Sequence, residues 1–343
     1  MTNLEVAPYS ENMRGAWDTF VREQTPNGTI FHEQTFLSYH GKRFEDSSVV
    51  VLDTSTGEML ALVPSAVVKD EKGTGIVSHP GSTYGGVLFR KGISTSVLKS
   101  VLDSVFRYYG ARYKADYFKI ILQEAFPAYA PCEELPFLLW HRGFTLQTKE
   151  ISCAKTLSGD PHLDYSPSRK QYVTSGKDER LGITHSLARG REEIQECYRL
   201  IEGNLMKRYG KKPTHTLEEL LFLRDMYGDR ISFFLSRCNG VVIATVAVFE
   251  LNRKVVHNFY TAQDYELSKH KPLVGLFHYI FNYYHARGYK TFNFGISSRD
   301  KWIKWGILEF KEQFGAHILT RDTWVLNGDL SGDWPYDGCC EHA

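Results

Sequence analysis

The chain carries none of the common motifs that supply a catalytic nucleophile or bind a nucleotide. It has no G-x-S-x-G turn, no H-E-x-x-H pair, no Walker A loop and no G-x-G-x-x-G loop. The 13 histidines show no ligand spacing beside carboxylates, and His278 and His285 share a polar helix face where we expect them to be solvated. The six cysteines show no C-x-x-C spacing. We therefore expect no metal site, no disulfide framework and no tightly bound cofactor.

Positive charge gathers in two short stretches that each border a predicted helix. Around Tyr209, the stretch KRYGKKPT contains four cations: Lys207, Arg208, Lys211 and Lys212. The stretch SKHKP places Lys269, His270 and Lys271 just before a helix N-terminus. Free backbone N–H groups and the helix dipole at that position favour an anion such as a phosphate. A solvated surface is the alternative for either short charge run.

A third candidate lies in the stretch GILEFKEQFGAHI, residues 306–318. Phe310 and Phe314 are four residues apart and share one helix face. Lys311 follows Phe310 and has an acidic residue on either side. By itself this pattern fits an ordinary surface helix equally well.

The elements that must position these residues are clearest in the second half of the chain. Two strands are predicted over 230–251, joined by a hairpin turn at Asn239-Gly240. The stretch KVVHNFYTA predicts another strand, and apolar residues at helical spacing predict a helix from Pro272 to Gly288. The alternating stretch KTFNFGI predicts the strand that follows the helix.

The first half repeats this order of hairpin, strand, helix and strand. The helix stretches FRYYGAR, residues 106–112, and FNYYHAR, residues 281–287, are near copies. A second echo lies in the hairpins: Gly57, Ala61 and Val63 correspond to Gly240, Ala244 and Val246. Two echoes in the same order indicate two similar α/β (α+β) units, each with a crossover helix against a mixed sheet.

The division of the chain follows from a stretch rich in Ser, Pro, Asp and Gly near 156–168, which reads as a linker. We predict an N-terminal domain over 1–155, a C-terminal domain over 156–330 and a polar tail over 331–343. A length of 343 residues suits two such domains.

Composition indicates a soluble, cytoplasmic protein. The net charge of +1 argues against a surface coated in cations for nucleic acid or anionic membrane, although a local basic groove is compatible with it. The N-terminal stretch has no apolar core typical of a signal peptide. The longest apolar run, residues 241–249, is too short to span a bilayer and predicts a buried strand. Scattered cysteines favour a reducing compartment.

Four stretches in the same order resemble the Fem-type peptidyltransferases and their FemAB-like relatives. They are SRKQYVTSGKDERLGIT (168–184), KRYGKKPTHTLEEL (207–220), HARGYKTFNFGISS (285–298) and EFKEQFGAH (309–317). The predicted order of elements, repeated twice, is similar to the two tandem GNAT-type acyltransferase folds of that family. The resemblance covers about residues 30–325 and is strongest from residue 165 onward.

The resemblance implies transfer of an acyl or aminoacyl group to an amine of a cell-envelope precursor, either peptidoglycan or polysaccharide. The Fem-type donor is aminoacyl-tRNA, and no protein nucleophile is acylated. The family's Phe-Lys pair falls on Phe310 and Lys311, which gives Lys311 a catalytic role, and Tyr260 is the candidate contact for the acceptor or leaving group. We expect six residues to bind the donor or substrate: Phe310, Lys269, Lys271, Arg208, Tyr209 and Lys211.

Two departures from the family pattern leave the donor open. Acyl-CoA-using GNAT proteins carry an R/Q-x-x-G-x-G/A loop before the crossover helix, whereas QDYELSKHKPLVG keeps only Gln263 and Gly275. The long heptad segment through which many Fem-type enzymes contact tRNA is also missing. The donor is therefore aminoacyl-tRNA, acyl-CoA or an acyl carrier protein, and the acceptor precursor could bring the protein to a membrane surface peripherally. The alternatives are an acyl-CoA-dependent N-acyltransferase acting on an amino sugar and a catalytically silent scaffold.

Overall fold

The computed structural model describes residues 3–128, 132–157, 178 and 180–334. The strands within these residues are β1 Leu4–Pro8, β2 Glu45–Asp46, β3 Val49–Asp53, β4 Met59–Val63, β5 Ala66–Asp70, β6 Gly73–Ser78, β7 Leu88–Phe89, β8 Tyr117–Ile121, β9 Thr145–Thr156, β10 Ile183–Leu187, β11 Ile231–Cys238, β12 Val241–Glu250, β13 Val255–Gln263, β14 Thr291–Ile296, β15 Ser298–Arg299, β16 Trp302–Ile303 and β17 His317–Asn327. The α-helices are α1 Arg14–Thr19, α2 Gln34–Leu37, α3 Thr95–Tyr113, α4 Glu134–His141, α5 Gly190–Tyr209, α6 Leu217–Tyr227, α7 Pro272–Ala286 and α8 Trp305–Glu312.

The chain forms two compact units. Unit 1 comprises residues 1–150 and 320–343, and unit 2 comprises residues 151–319. Their limits fall inside β9 and β17, so the C-terminal strand returns the chain to unit 1. The predicted domain limits, 1–155 and 156–330, stay a prediction. Most of the predicted linker and of the predicted polar tail lies outside the described residues.

Unit 1 contains a bent hairpin that belongs to two sheets. Strands β3 and β4 pair with each other and with β1 and β7, while β2 and β5 pair in the sheet that contains β6, β8 and β17. The bend lies at Ser47-Ser48 on one arm and at Pro64-Ser65 on the other. Proline cannot donate a ladder hydrogen bond, so it favours the interruption. The backbone N–H of Ser47 donates to the Ser65 carbonyl at 2.9 Å and keeps the two arms together.

A crossover helix connects two parallel neighbours in this unit. Strand β6 leads through α3 to β8, and the two strands pair in parallel from Gly75–Tyr117 to Ser78–Ile120. The Ser94 hydroxyl caps α3 by accepting from the Val97 N–H at 3.3 Å, as its position in the sequence predicts. Apolar side chains of α3, including the fully buried Phe106, pack on the sheet to form the core of unit 1.

Unit 2 has the same order of hairpin, strand, crossover helix and strand, but its hairpin is not bent. Strands β10 to β13 form an antiparallel sheet, α7 crosses over, and β14 pairs in parallel with β13 and antiparallel with β9. The turn between β11 and β12 has positive φ at both Asn239 and Gly240, which confirms the predicted hairpin. Thr216 and Glu219 form the predicted capping box at the start of α6.

These two arrangements confirm the predicted α/β fold of two similar units, each with mixed, mostly antiparallel strand pairing flanked by helices. None of the described helices is both long and apolar enough to cross a membrane.

The FRYYGAR and FNYYHAR echo marks equivalent packing in the two crossover helices. Phe106 and Phe281 are both buried, and so are Tyr109 and Tyr284, each of which is 0% exposed. Tyr109 has an additional role in unit 1, because its hydroxyl meets the hairpin bend. It lies 2.8 Å from the Ser65 hydroxyl and donates to the Ser47 carbonyl at 3.1 Å.

Tyr109→Phe should lower the free energy of unfolding by about 1–2 kcal/mol, because it removes hydrogen bonds from buried groups at the bend while keeping the ring. Urea unfolding followed by circular dichroism measures the change. Tyr108→Phe is the matched control, since Tyr108 is half-buried on the neighbouring face of the same helix. Equal stability of the two variants would show that the bend does not need this hydroxyl.

Candidate active site

The candidate site begins where the parallel strands of unit 2 separate. Strands β13 and β14 pair over three positions and stop at His257–Asn293, although β13 continues to Gln263 and β14 to Ile296. An irregularity in each strand accompanies the separation: β13 shifts register against β12 near Asn258, and β14 shifts against β9 near Gly295. Bulges of this kind end strand pairing and redirect the chain.

Position 295 requires glycine for two reasons: its backbone has a positive φ, and the His257 ring lies close to it. Its φ is +75°, and a Cβ there would lie 3.3 Å from the His257 ring. The Asn293 side chain fixes the turn by accepting from the Gly295 N–H at 2.7 Å and from the Ser152 hydroxyl at 3.2 Å. The end of β14 is therefore a polar, hydrogen-bonded structure inside the unit.

Lys311 reaches this strand end from α8. Its ammonium donates to the Gly295 carbonyl at 2.7 Å and to the Ile296 carbonyl at 2.8 Å, and the residue is only 5% exposed. The alternative of an ordinary surface helix is therefore wrong for this residue. Lys311 places a buried positive charge where the strands separate.

The positive charge of Lys311 also affects the pKa of a buried thiol, that of Cys153. Burial raises the pKa of Cys153, whereas a hydrogen bond from Ser297 and the positive charge of Lys311 each oppose that rise. Cys153 is completely buried and lies 3.5 Å from the Ser297 hydroxyl. A protonated, inaccessible thiol does not act as a nucleophile, which agrees with the absence of nucleophile motifs.

Phe310, predicted to bind the donor, packs with other aromatic rings. Its ring centroid lies 5.1 Å from that of Phe314 and 5.9 Å from that of Phe277 on α7. The two residues of the Phe-Lys pair therefore make different contacts. Phe310 packs α8 against the crossover helix, and Lys311 reaches the end of β14. Donor binding by Phe310 stays a prediction.

Tyr260, on the strand that continues past the separation, holds the loop between α5 and α6. Its hydroxyl accepts from the His215 backbone N–H at 3.2 Å and lies 3.0 Å from His215 Nδ1. Burial raises the pKa of Tyr260, and hydrogen bonds from the 214–215 segment partly offset the rise. The hydroxyl is therefore neutral at physiological pH, and its catalytic role stays a prediction.

Arg208 and Tyr209 form an exposed cation–aromatic cluster with a residue that sequence reasoning missed. Arg208 donates to the Tyr265 hydroxyl at 2.6 Å and lies 5.4 Å from the ring centroids of both Tyr209 and Tyr265. Lys304, which precedes α8, lies 5.9 Å from the Tyr209 ring. The structure thus brings the end of α5 close to the start of the helix that carries Lys311.

The remaining predicted lysines are exposed. Lys211 follows the end of α5, while Lys269 and Lys271 precede α7. No side-chain contact among the described residues joins these three to Lys311, so their roles as anion ligands stay predictions.

A buried acidic residue, Asp178, packs against the first turn of α7. A Cβ at Gly275 would collide with Asp178 Oδ2 and His185 Nε2. His185 links Asp178 to Ser236 on strand β11. Its Nε2 lies 3.1 Å from Asp178 Oδ2, and its Nδ1 lies 2.9 Å from the Ser236 hydroxyl. Asp178 and Ser236 are buried, which makes this network a structural support. A carboxylate at a helix N-terminus disfavours a second anion there.

Sequence reasoning was wrong about His278. Burial, followed by the charge of Lys155, lowers the pKa of His278 to about 4, and its ring lies 6.2 Å from that of Phe314. The helical pattern placed it opposite the apolar stripe but could not show that Phe314, two residues past the end of α8, lies beside that face. Asn293 and Gly295 were also missed as individual residues, although the family-like stretch HARGYKTFNFGISS contains both.

Comparison with known proteins agrees with the fold of the chain. Residues 170–312, within unit 2, match the family described as acetyltransferase (GNAT) domain. The crystal structure of FemX superposes with a TM-score of 0.70 at 14% identity, covering 95% of this chain and 98% of that one. The chain has the fold of the Fem-type proteins. No curated protein matches it in sequence.

Two further structures share this Fem-type fold along nearly their whole length. One is the C-terminal domain of a protein described as a lysylphosphatidylglycerol synthetase from Agrobacterium fabrum, with a TM-score of 0.58 at 11% identity, covering 94% of this chain and 95% of that chain. The other is a tandem GNAT protein from the clavulanic acid biosynthesis pathway, with a TM-score of 0.55 at 11% identity, covering 96% and 99%. At these identities the likeness is one of fold.

Lys311→Met should lower the free energy of unfolding by about 1.5–3 kcal/mol, because the Gly295 and Ile296 carbonyls lose a charged donor in a buried position. Lys301→Met is the matched control, since Lys301 is exposed in the turn between β15 and β16. Urea unfolding measures both variants. Equal stability of the two would mean that Lys311 does not hold the end of β14.

Tyr260→Phe should loosen the α5–α6 loop, because that loop loses its hydroxyl anchor at His215. We expect trypsin to cut the Lys211–Lys212 bond several-fold faster than in the wild type, since local opening exposes the backbone to the protease. Mass spectrometry of a limited digest measures the rate. Tyr279→Phe, on α7, should leave the rate unchanged, and an unchanged rate in Tyr260→Phe as well would contradict the anchoring role.

Proposed function

We propose that the protein transfers an acyl or aminoacyl group to an amine of a cell-envelope precursor. The observation that carries the proposal is the separation of β13 and β14 with the buried Lys311 ammonium fixed at the end of β14. The match of unit 2 to a GNAT domain supports the same reaction class.

The arrangement suits direct attack by an amine on an activated carbonyl. Such a reaction needs close positioning of the reactants, loss of a proton from the amine and stabilisation of the oxyanion that forms. Beyond His257, β13 continues without β14 beside it, so its backbone N–H groups are candidates for the oxyanion donors. Lys311 would support them by adding a buried positive charge and by keeping the end of β14 in place.

The contact at α7 favours an aminoacyl ester over an acyl-CoA as donor. Asp178 and His185 pack against Gly275 at the start of the crossover helix. A phosphate group placed there would meet a buried carboxylate, and like charges at short range repel strongly in a low dielectric. Arg208, Tyr209 and Lys211, together with Lys269 and Lys271, would then contact the donor or substrate elsewhere on unit 2.

The envelope acceptor rests on fold likeness and on the resemblance in sequence. FemX shares the fold over nearly the whole chain, and so does a protein named for the synthesis of lysylphosphatidylglycerol. These likenesses together favour an aminoacyl group as cargo and an envelope precursor as acceptor.

The test is a transfer assay with the purified full chain. Total aminoacyl-tRNA, a mixture of acyl-CoA thioesters and acyl carrier protein thioesters are supplied separately with peptidoglycan-precursor peptides or amino sugars, and products are identified by mass spectrometry. We expect an aminoacylated peptide only in the tRNA arm. A product formed only from acyl-CoA and an amino sugar would support the alternative N-acyltransferase, and no product in any arm would support a silent scaffold.

Lys311 variants test the role of the charge in the same assay. Lys311→Met should lower kcat by about 100-fold or more, in the range observed when a transition-state donor is removed, while Lys311→Arg should keep part of the activity. The assay is run at a temperature where circular dichroism shows both variants folded. Unchanged turnover in Lys311→Met would remove the residue from the mechanism.

A further inference from the structure

A short hairpin, formed by β15 and β16, precedes the helix that carries Lys311. Its two strands pair with each other and with no other strand of the described residues. In the hairpin, Ser298 lies opposite Ile303, and Arg299 lies opposite Trp302. Residues 298–305, which extend to the first residue of α8, are called the tryptophan hairpin below.

One face of the tryptophan hairpin is attached to unit 2. The Ser298 hydroxyl accepts from the Ile151 N–H at 2.9 Å, and Ile303 packs against the apolar core of the unit. Residues directly opposite each other in paired strands share a face, and the next pair along the strands lies on the other face. Arg299 and Trp302 therefore point away from the unit.

The outward face presents two tryptophans to solvent. Trp302 is 81% exposed and Trp305 is 62% exposed, whereas tryptophan is highly buried on average. The exposed charged residues of the same segment are three cations and one acid: Arg299, Lys301, Lys304 and Asp300. Exposed apolar groups that are rimmed by polar residues mark interaction surfaces.

A second cationic segment borders the tryptophan hairpin. The Lys304 ammonium lies 5.9 Å from the ring centroid of Tyr209, which is itself 47% exposed. Residues 206–212 around this tyrosine contain four exposed cations and no acid: Lys207, Arg208, Lys211 and Lys212. Unit 2 therefore has a local excess of positive charge beside the segment that exposes the tryptophans.

These features fit an anionic lipid surface better than a nucleic-acid strand. Tryptophan rings and flanking cations are typical of segments at the membrane–water interface, where the rings lie at headgroup depth and the cations attract anionic lipids. Single-stranded nucleic acid is instead held along a basic groove. Trp302 lies beside the turn of an isolated hairpin and has most of its surface in solvent, so it is placed to insert into a bilayer surface.

We propose that the tryptophan hairpin docks the protein peripherally on a membrane that contains anionic phospholipids. Trp302 and Trp305 enter the headgroup region, and the surrounding cations contact lipid phosphates. The rings supply apolar area, and the cations supply an attraction that salt screens. Because the hairpin leads directly into α8, docking brings the helix that carries Lys311 to the lipid surface. The proposal does not depend on the transfer reaction, since vesicle binding is measured without a donor or an acceptor.

The test is co-sedimentation of the purified full chain with vesicles of equal parts phosphatidylglycerol and phosphatidylcholine, and with vesicles of phosphatidylcholine alone. We expect saturable binding to the anionic vesicles that weakens as salt is added, and binding to the neutral vesicles at least about tenfold weaker. No binding to the anionic vesicles, or equal binding to both kinds, would overturn the proposal.

Two double variants locate the surface. Trp302→Ala/Trp305→Ala should weaken binding to the anionic vesicles about tenfold or more, because the apolar contact with the headgroup region is lost. Lys301→Gln/Lys304→Gln should weaken it by a similar factor, because two cations near the anionic surface are lost. All four side chains are exposed, so we expect both variants to fold, which circular dichroism verifies. Wild-type affinity in the folded tryptophan variant would contradict the proposed contact.

The matched controls lie in unit 1. Trp140→Ala removes a tryptophan that is 54% exposed on α4, and Lys69→Gln/Lys72→Gln removes two exposed cations from the end of β5 and the turn that follows it. Both should bind the anionic vesicles as the wild type does. Equal weakening in the controls would show that any exposed tryptophan or cation has this effect, and the assignment to the hairpin would then be wrong.

A single-stranded RNA oligonucleotide tests the other class of partner by fluorescence anisotropy. We expect RNA binding, if it occurs, to be unchanged in Trp302→Ala/Trp305→Ala. RNA binding that this variant abolishes, together with unchanged vesicle binding, would assign the tryptophans to nucleic acid and overturn the membrane proposal.

Discussion

The parallel pairing of β13 with β14 stops after three residue pairs, and the chemistry proposed for unit 2 depends on that limit. A strand separated from its neighbour exposes backbone N–H and C=O groups that must find other partners. On β14 the partners are supplied by side chains: Asn293 satisfies the Gly295 N–H, and Lys311 satisfies the Gly295 and Ile296 carbonyls. The same cation that stabilises the strand end therefore places a buried positive charge where the strands separate. Structure and proposed chemistry cannot be separated at this residue, which is why charge-retaining and charge-removing variants must be compared.

The crossover helix packs on the sheet in the same way in both units, but the hairpins differ. In each, an aromatic crossover helix lies on a sheet, and Tyr109 and Tyr284 occupy equivalent buried positions. In unit 1 the hairpin is broken at Pro64-Ser65, and the Tyr109 hydroxyl satisfies polar groups at the break. In unit 2 the hairpin strands β11 and β12 pair from Ile231 to Cys238 within one sheet. The repeat thus preserved the packing of the helix while the strands diverged.

Charge distinguishes the side-chain clusters within each unit. Unit 2 presents Arg208, Tyr209 and Lys304 together on its surface and buries Lys311 inside. In unit 1, the Arg321 guanidinium pairs with the Glu150 carboxylate. A net charge of +1 for the whole chain conceals these local arrangements of charge. The net charge argued against a surface covered in cations, but it could not locate charged sites, because a sum over the sequence does not say where the charges lie.

The sequence by itself determined what depends on neighbouring residues. The Asn239-Gly240 turn, the Thr216–Glu219 capping box, the Ser94 cap and the repeated order of elements were all predicted, because turns, caps and periodicity arise within a few residues. The four family-like stretches also indicated the tandem GNAT fold. Only the tertiary structure decided that Lys311 is buried, that Tyr260 anchors His215, that Phe314 lies beside His278 and that Asp178 packs on Gly275. Each of these contacts joins residues far apart in the chain, and nothing in the local pattern specifies which distant group comes to meet a given side chain.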